Sequence, residues 1–600
     1  MRVRVPLMIQ DPELSQLTTD RLVEDWLGLD EAHFLDGPIT ERVAVVDLDP
    51  ETEAVERGAV FEPPDGRRTF GRYRVDRQRV SSPHFIAVSV FGTVMRTIYL
   101  YEEPDTLGRR IAWGFDGPQL LVVPRAGTWA NAYYERRSRS LQFYSFRAHG
   151  RLVHTSLSRD IVAHETAHAL LDGIAPDLYD ALDPQGLALH EGVADLTAVL
   201  IAFRSPRLRK AVLDQTDGSI EKSTNFSSIG EQFGRAIDPA GHVGWLRNLL
   251  DDSVLDPHGD PAAEPEAHQL SQVLTGTLYR FLVELHHDSK RRLSARRRES
   301  PFSVSGRALW AASEQFKRMI LRGLDYLPPG EITFADYIRA ILAADQASFA
   351  DDRWRAWIRA ECVRRGIVAT EADLAVATNA EHPSLASQDL DGLVASDWAA
   401  YMFAEANRDL LMIPADAQFE VLPRIIVNKR FELPQTVLDR AAGAGAEATA
   451  EAEAASAAAA GMARTPGHRP EGAHDGPDEG AFPVRELLFK VRWSVTEPNP
   501  PDLGAATRRI QTGTTLVIDP DRRLVRSCLG PHSLERRRPA RDAALRRLVE
   551  AGLVDVSSPD DPAAVRQTFG SGVEAVVTDG ILRVKGTGRL LHVARGAGDA

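Results

Sequence analysis

The sequence predicts an α+β fold, in which a β-rich amino-terminal part is followed by a mainly helical part and then by a smaller α+β unit. Three observations predict it. Short apolar runs separated by turn-rich segments fill residues 1–80, helical patterns dominate from about 158 to 370, and strand-like alternation returns at 486–495. With 600 residues, 43% of them hydrophobic, the chain is long enough to bury more than one core.

The middle of the chain carries the clearest elements. Residues 83–101, PHFIAVSVFGTVMRTIYLY, predict a buried helix, with a strand as the alternative, because the run is almost uniformly apolar. The segments 119–127 and 131–146 predict a strand and a strand pair. Five segments have helical patterns: 159–173, 187–203, 268–286, 306–324 and 334–345. In this part of the chain, one apolar helix therefore precedes the strands, and the other helices follow them.

The composition changes abruptly after residue 440. Residues 371–440 predict an accessory helical and β segment, whereas 441–482 are rich in alanine, glycine, proline and acids and predict a flexible linker that cannot form a packed core. Beyond the linker, 483–600 predict a separate α+β domain, with strand-like runs around a helix at 540–552. A flexible linker would let this domain reach several positions, so target recruitment and self-regulation both stay open as its role.

Charge and cysteine content exclude several classes of protein. The net charge of −14 argues against nucleic-acid binding. Two cysteines, Cys362 and Cys528, are too few for a disulfide framework or a cysteine-ligated zinc site. The amino terminus lacks the apolar core of a secretory signal, and no stretch reads as a membrane span. We therefore expect a cytoplasmic protein without a transmembrane segment, while export by a dedicated system that needs no signal stays open.

Residues 161–172, IVAHETAHALLD, place two histidines and a glutamate among apolar neighbours. Histidines four residues apart lie on one face of a helix, one turn from each other, so His164 and His168 can direct both imidazoles at one Zn²⁺ ion. Glu165 follows the first histidine and can reach the open side of the metal, which is the arrangement of the zinc metalloprotease motif. The apolar flanks argue against a chance match on an exposed helix.

A second apolar helix, LALHEGVADLTAV at 187–199, offers the carboxylates that such a site needs. Glu191 would be the third protein ligand and would leave a fourth position for water, as in a catalytic zinc site. Asp195, four residues later on the same face, can accept the spare ring N–H of a liganding histidine and fix its orientation. The alternative is ordinary helix-surface charge. The pattern does not decide whether His190 faces the site or solvent.

HETAH followed by EGVAD resembles the gluzincins, in particular the thermolysin-like metallopeptidases, over about residues 83–370. The resemblance implies a β-rich lobe, a mainly helical lobe and a cleft between them. It also implies one catalytic zinc ion held by His164, His168 and Glu191, with Glu165 as the general base and Asp195 behind the ligands. Calcium dependence is doubtful, because the position of the family's calcium-binding acid, eleven residues after Glu191, holds alanine.

Further matches extend the resemblance to residues that would bind substrate. Tyr179 stands eleven residues after His168, where the family has a tyrosine that helps to hold the oxyanion. The sequence NAYY is similar to the family's substrate-binding strand and implies that Asn131 and Ala132 bind the substrate backbone. HQLS implies that His268 stabilises the transition state, and LRNLLDD implies a substrate contact from Arg247, with Arg235 as an alternative.

These residues predict a zinc-dependent endopeptidase that hydrolyses protein or peptide substrates with a zinc-activated water molecule and Glu165 as general base. The alternative from another class is a catalytically inactive protein that keeps the metallopeptidase fold for binding or scaffolding. An aminopeptidase is a third reading, but the sequence shows no Gly-x-Met-x-Asn segment to anchor a free amine.

Overall fold

The structure is a computed structural model, and it describes residues 1–9, 23–49, 51–52, 54–148, 150–222, 228–229, 247–265, 267–432, 434–443, 481–503, 507–531, 534–551, 573–578 and 581–586. The described residues contain both helices and strands, and more of these residues are helical than lie in strands. The predicted α+β class is therefore confirmed.

The strands are numbered in chain order. They are β1 (Arg2–Met8), β2 (Val23–Asp30), β3 (Val43–Val45), β4 (Phe61–Glu62), β5 (Gly71–Tyr73), β6 (Leu120–Val123), β7 (Ala132–Glu135), β8 (Ser140–Phe143), β9 (Ser145–Ala148), β10 (Arg151–His154), β11 (Ser228–Ile229), β12 (Arg247–Asn248), β13 (Thr378–Glu381), β14 (Phe419–Val421), β15 (Ile425–Glu432), β16 (Ala481–Pro498), β17 (Thr507–Asp519), β18 (Leu524–Leu529), β19 (Val573–Thr578) and β20 (Ile581–Gly586).

The α-helices are numbered in the same way. They are α1 (Pro83–Glu102), α2 (Arg159–Ile174), α3 (Pro184–Phe203), α4 (Pro206–Gln215), α5 (Ala267–Arg297), α6 (Ser305–Tyr326), α7 (Phe334–Gln346), α8 (Arg353–Arg364), α9 (Pro383–Ala386), α10 (Leu390–Ala395), α11 (Asp397–Ala406), α12 (Pro434–Gly443) and α13 (Arg538–Glu550).

Two four-stranded sheets precede the helical part. One has the order β2-β1-β5-β4, and the other has the order β3-β6-β8-β7, so that β7 lies at an edge. The helix predicted over 83–101 is confirmed as α1, which packs against β1 and α2. The strands predicted over 119–127 and 131–146 are present as β6 and the antiparallel pair β7 and β8. Strand β7 packs against α2.

Two helices correct one sequence-based expectation. By length and hydropathy alone, α1 and α3 could each cross a membrane, although the sequence was expected to contain no such stretch. In this fold 94% of the apolar window of each helix is buried inside the protein. Both helices are apolar because they are surrounded by protein on most sides, which is the composition of a core helix. Helix α3 packs against both α2 and α5.

The carboxy-terminal part forms one eight-stranded sheet that crosses the predicted domain boundary. Strands β13, β14 and β15 come from 371–440, and they pair with β16 and β18 from 483–600. Strand β15 is antiparallel to β16 over eight register pairs, from Ile425 with Leu488 to Glu432 with Ala481. The predicted boundary at the linker therefore does not separate two sheets. Most of the 441–482 linker, residues 444–480, lies outside the described residues.

Both faces of this sheet are covered. Along β16, Leu487 and Phe489 face a cluster formed with the short helices α9 to α11. Leu488, between them, joins the main core together with residues of the helical part. Alternation of side chains along a strand explains this division. It also directs Lys490, the next residue on the same face as Leu488, towards the helical part, where its ammonium group donates to the Leu327 carbonyl at 3.0 Å.

A tight turn after α6 brings the helical part against this sheet. Gly330 has a φ of +94°, and a Cβ atom added there would lie 2.2 Å from the backbone oxygen of Gln511. The next residue, Glu331, donates its N–H to the same oxygen at 3.0 Å. Only glycine has both the backbone freedom and the small size that this contact needs.

We expect Gly330→Ala to lower the free energy of unfolding by about 2–4 kcal/mol, because the methyl group adds a strained φ and a backbone clash. Urea denaturation followed by tryptophan fluorescence measures the loss. Gly66→Ala is the matched control, because a Cβ atom there meets nothing within 4 Å. Equal stability of the two variants would contradict this account of the turn.

Candidate metal centre

Helix α2 presents the first two candidate ligands. His164 and His168 lie one turn apart and are almost fully buried, and their Nε2 atoms are 3.0 Å from each other. The helix ends at Ile174 and is followed by Pro176, which begins a short 3-10 turn. The predicted shared face of the two histidines is therefore present, and both rings direct Nε2 to the same point.

Helix α3 brings a carboxylate to the same point. Its amino terminus is defined by Asp183, whose side chain accepts the Gln185 N–H, and by Pro184 in the first turn. Glu191 lies two turns further along and is fully buried. Its Oε2 is 3.5 Å from His164 Nε2, and its Oε1 is 3.5 Å from His168 Nε2.

This cluster fits a zinc ion. Among the residues that the structure describes, His164, His168 and Glu191 form the group of potential metal ligands whose donor atoms all lie within 4.8 Å of one another. Donors of a tetrahedral zinc site with bonds of about 2.0–2.1 Å lie about 3.3 Å apart, which is close to the separations of 3.0 and 3.5 Å here. A metal would also satisfy three polar groups that burial otherwise makes costly.

Asp195 orients the first histidine. Its Oδ1 is 2.9 Å from His164 Nδ1, and the carboxylate is buried. An ionised carboxylate only accepts hydrogen bonds, so the proton lies on Nδ1 and the lone pair of Nε2 faces the cluster. The structure therefore brings Asp195 to the position that the sequence predicts.

His190 orients the second histidine, and sequence reasoning left this residue undecided. His190 Nδ1 is 2.8 Å from His168 Nδ1, and the His190 side chain is fully buried. Burial lowers the pKa of His190 to about 3, so its imidazole is neutral and can accept a proton shared by His168. The sequence did contain a signal for this contact: His190 lies in an apolar helix, and a buried imidazole needs a hydrogen-bond partner.

Glu165 lies beside the cluster and is also fully buried. Its Oε2 accepts the backbone N–H of Tyr134 at 3.0 Å, which fixes the orientation of the carboxylate. Tyr134 belongs to the edge strand β7. Glu165, the candidate base, is therefore hydrogen-bonded to the strand that was expected to bind substrate. Sequence reasoning identified both Glu165 and the strand, but it did not find this bond.

Asn131 and Ala132, which were expected to bind the substrate backbone, form a hydrogen bond with each other. Asn131 is buried, and its side-chain oxygen accepts the N–H of Ala132 at 2.8 Å. The N–H of Ala132 is thus satisfied by its own neighbour. The Tyr134 N–H is directed at Glu165 instead of β8, and the backbone N–H and carbonyl of one strand residue face the same side, so the carbonyls of Tyr134 and of Ala132, two residues earlier, face away from β8. The carbonyl of Ala132, rather than its N–H, is offered at this edge.

Tyr179 and His268 both reach the cluster from separate elements. The Tyr179 ring lies 4.1 Å from the His190 ring, centroid to centroid, and its buried hydroxyl makes no hydrogen bond with the described residues. Burial raises the pKa of Tyr179 well above its usual value, so the hydroxyl keeps its proton and stays a donor. His268, in the first turn of α5, places Nε2 3.6 Å from Glu191 Oε1.

The substrate contact expected from Arg247 stays a prediction. The backbone of Arg247 belongs to β12, which pairs with β11, but its side chain lies outside what the structure describes. The alternative, Arg235, also falls outside the described residues.

Comparison with known proteins adds no identification. No protein-family model matches the chain, and no curated protein matches it significantly.

We expect His190→Leu to weaken zinc binding about 10- to 100-fold, because His168 loses the acceptor that fixes its protonated nitrogen. His190→Asn should retain most of the affinity, since an amide oxygen can accept the same proton. Competition with a chromogenic chelator measures both.

The control is His286→Leu, which removes another fully buried imidazole, one that contacts the Ser305 carbonyl in a different part of the core. Its zinc affinity should equal that of the wild type. Undiminished affinity in His190→Leu would show that His190 does not support the ligand.

Proposed function

We propose that the protein is a zinc-dependent endopeptidase of the thermolysin-like, gluzincin type. The observation that carries the proposal is the buried convergence of His164, His168 and Glu191, with Glu165 beside them. A site with three protein ligands leaves a fourth position open, which is the arrangement of a catalytic zinc site rather than a structural one. Within 83–370, strands β6 to β10 precede α2 and mainly helices follow it, which agrees with the two lobes that the resemblance implies.

When bound, zinc supplies a Lewis acid that polarises the peptide carbonyl and acidifies water. The carboxylate of Glu165 takes a proton from the attacking water and transfers it to the nitrogen of the leaving amine. The Tyr134 N–H holds one oxygen of this carboxylate, so its orientation is set before substrate binds. Glu165 is therefore the general base of the proposed reaction.

In the proposed reaction, Tyr179 and His268 stabilise the charge that develops on the carbonyl oxygen. A buried phenol that keeps its proton is a donor ready for an oxyanion. His268 lies next to Glu191, and its side chain is 29% exposed, so substrate can reach it. Donors of this kind act mainly in the transition state and hence on kcat.

The edge of β7 provides the substrate-binding strand of the proposal. A peptide added alongside β7 would donate a backbone N–H to the Ala132 carbonyl, which faces away from β8. Backbone pairing with β7 needs an extended substrate and depends little on the substrate's side chains. The proposed substrate class is therefore unfolded protein or flexible polypeptide segments.

Glu165→Gln should abolish peptide hydrolysis and keep zinc bound, because the amide cannot accept the proton while the three ligands are unchanged. The loss of hydrolysis is measured as turnover of a quenched fluorescent peptide library. The retention of zinc is measured as metal content by atomic emission. Mapping of new peptide termini in treated lysate, with the variant as the blank, would identify the cleavage preference.

Two results would contradict the proposal. Wild-type turnover in Glu165→Gln would remove Glu165 as the base. A zinc-loaded wild-type protein with no turnover of any peptide in the library would instead favour the inactive binding or scaffolding protein.

Tyr179→Phe and His268→Ala should each lower kcat about 100-fold or more while changing KM far less, as the loss of one oxyanion donor does. Steady-state kinetics with one fluorogenic peptide measure the two parameters. Tyr337→Phe serves as the control, because it removes a buried hydroxyl that bonds the Ile320 carbonyl in the helical core. Unchanged kcat in either site variant would take that residue out of the mechanism.

A further inference from the structure

The connection between α2 and α3 carries Tyr179. This connection, residues 175–183, follows the helix with both histidine ligands and precedes the helix with Glu191. Its own backbone bonds are few: Leu178, Tyr179 and Asp180 donate to carbonyls three residues earlier in the chain. The position of the Tyr179 hydroxyl therefore depends on what holds this loop from outside.

One anchor of the loop is Asp177, two residues before Tyr179. Its Oδ1 accepts a hydrogen bond from Arg492 Nη1 at 2.5 Å, and its Oδ2 accepts the Gly330 N–H at 3.0 Å. Arg492 lies on β16 of the carboxy-terminal sheet and also pairs with Glu420 on the neighbouring strand β14. The sheet thus supplies a guanidinium group to the loop.

A second anchor is Asp183, four residues after Tyr179. Arg537, just before α13, donates to both of its carboxylate oxygens, at 2.7 and 2.6 Å. The N–H groups of Leu182 and Asp183 donate to the Glu331 carboxylate at 2.8 and 3.0 Å. Glu331 in turn donates its own N–H to the carbonyl of Gln511, on β17.

The other side of the loop is held by the β-rich part of the chain. Arg136, directly after β7, donates to the Pro176 carbonyl at 2.8 Å, and its guanidinium lies 5.4 Å from the centre of the Tyr179 ring. The loop is therefore clamped between β7 on one side and the carboxy-terminal sheet on the other. Removing either side would leave carboxylates or carbonyls without the partners that fix them.

We propose that the carboxy-terminal sheet is a positioning element of the catalytic site, and that Arg492 and Arg537 hold the loop so that the Tyr179 hydroxyl points at the reacting carbonyl. This inference rests on the proposed peptidase function. It gives the carboxy-terminal part a role that differs from both target recruitment and self-regulation. The site is then assembled from three separate parts of the chain.

Burial makes these ion pairs hard to replace by water. The side chain of Asp183 is 2% exposed and that of Asp177 is 11% exposed. A buried carboxylate without its guanidinium partner is an unpaired charge, which is strongly unfavourable. The loop is then expected to shift so that water can reach the carboxylate. Arg492, 25% exposed, is the better residue to substitute, because its loss disturbs the loop without opening the core.

The first test measures hydrogen exchange of the zinc-loaded, full-length protein. Arg492→Gln should speed amide exchange about tenfold or more in peptides that cover 176–183, while peptides of α2 that cover 164–172 stay unchanged. Arg485→Gln is the matched control, because Arg485 lies on the same strand and forms a surface ion pair with Asp521. Unchanged exchange at 176–183 in Arg492→Gln would overturn the proposed anchor.

The second test is a double-mutant cycle between Arg492 and Tyr179. Arg492→Gln should lower kcat about tenfold with KM and zinc content unchanged, as a small displacement of a donor does, and Arg492→Lys should recover part of the loss. In the Tyr179→Phe background the same substitution should have no further effect. Independent, multiplicative losses would show that Arg492 does not act through Tyr179.

The two tests separate this inference from the function on which it rests. Absence of any peptide hydrolysis by the wild-type protein would refute the peptidase function, and hydrogen exchange would still decide whether Arg492 anchors the loop. Hydrolysis by the wild type with unchanged kcat in Arg492→Gln would overturn the positioning role alone.

Discussion

The convergence of two imidazoles and one carboxylate in a buried space is the constraint on which the site depends. His164, His168 and Glu191 are each no more than 2% exposed, and their donor atoms face one another instead of solvent. Polar groups in such a place are unfavourable unless something binds them. A divalent cation with nitrogen and oxygen ligands satisfies all three at once, and the surrounding helices are arranged to keep the three donors together.

The groups behind the cluster are not equivalent. Asp195 gives His164 a charged acceptor, whereas His190 gives His168 a neutral one. A hydrogen-bonded carboxylate strengthens an imidazole as a metal ligand more than a neutral ring does. The loop that carries Tyr179 adds a further dependence, because its anchors come from the carboxy-terminal sheet. In the proposed peptidase, metal binding and transition-state stabilisation would thus be supported by different parts of the chain.

The secondary structure was predictable where the pattern is local. The helices around both motifs and the strand pair near β7 follow from apolar periodicity, which each segment carries by itself. The single carboxy-terminal sheet was not predictable, because β15 and β16 are separated by the composition break at 441–482. The entropic cost of closing a loop grows only slowly with its length, so two strands can pair across a long insertion. The distance between two strands in the sequence therefore does not indicate whether they pair.

The sequence by itself determined that His164 and His168 share one face of a helix, because residues four apart lie one turn from each other. It also indicated Glu191, since an acid in an apolar helix needs a reason to be there. Only the tertiary structure decided which ring His190 meets and that Arg492 reaches the Tyr179 loop. Such contacts join residues far apart in the chain, and no local periodicity records them.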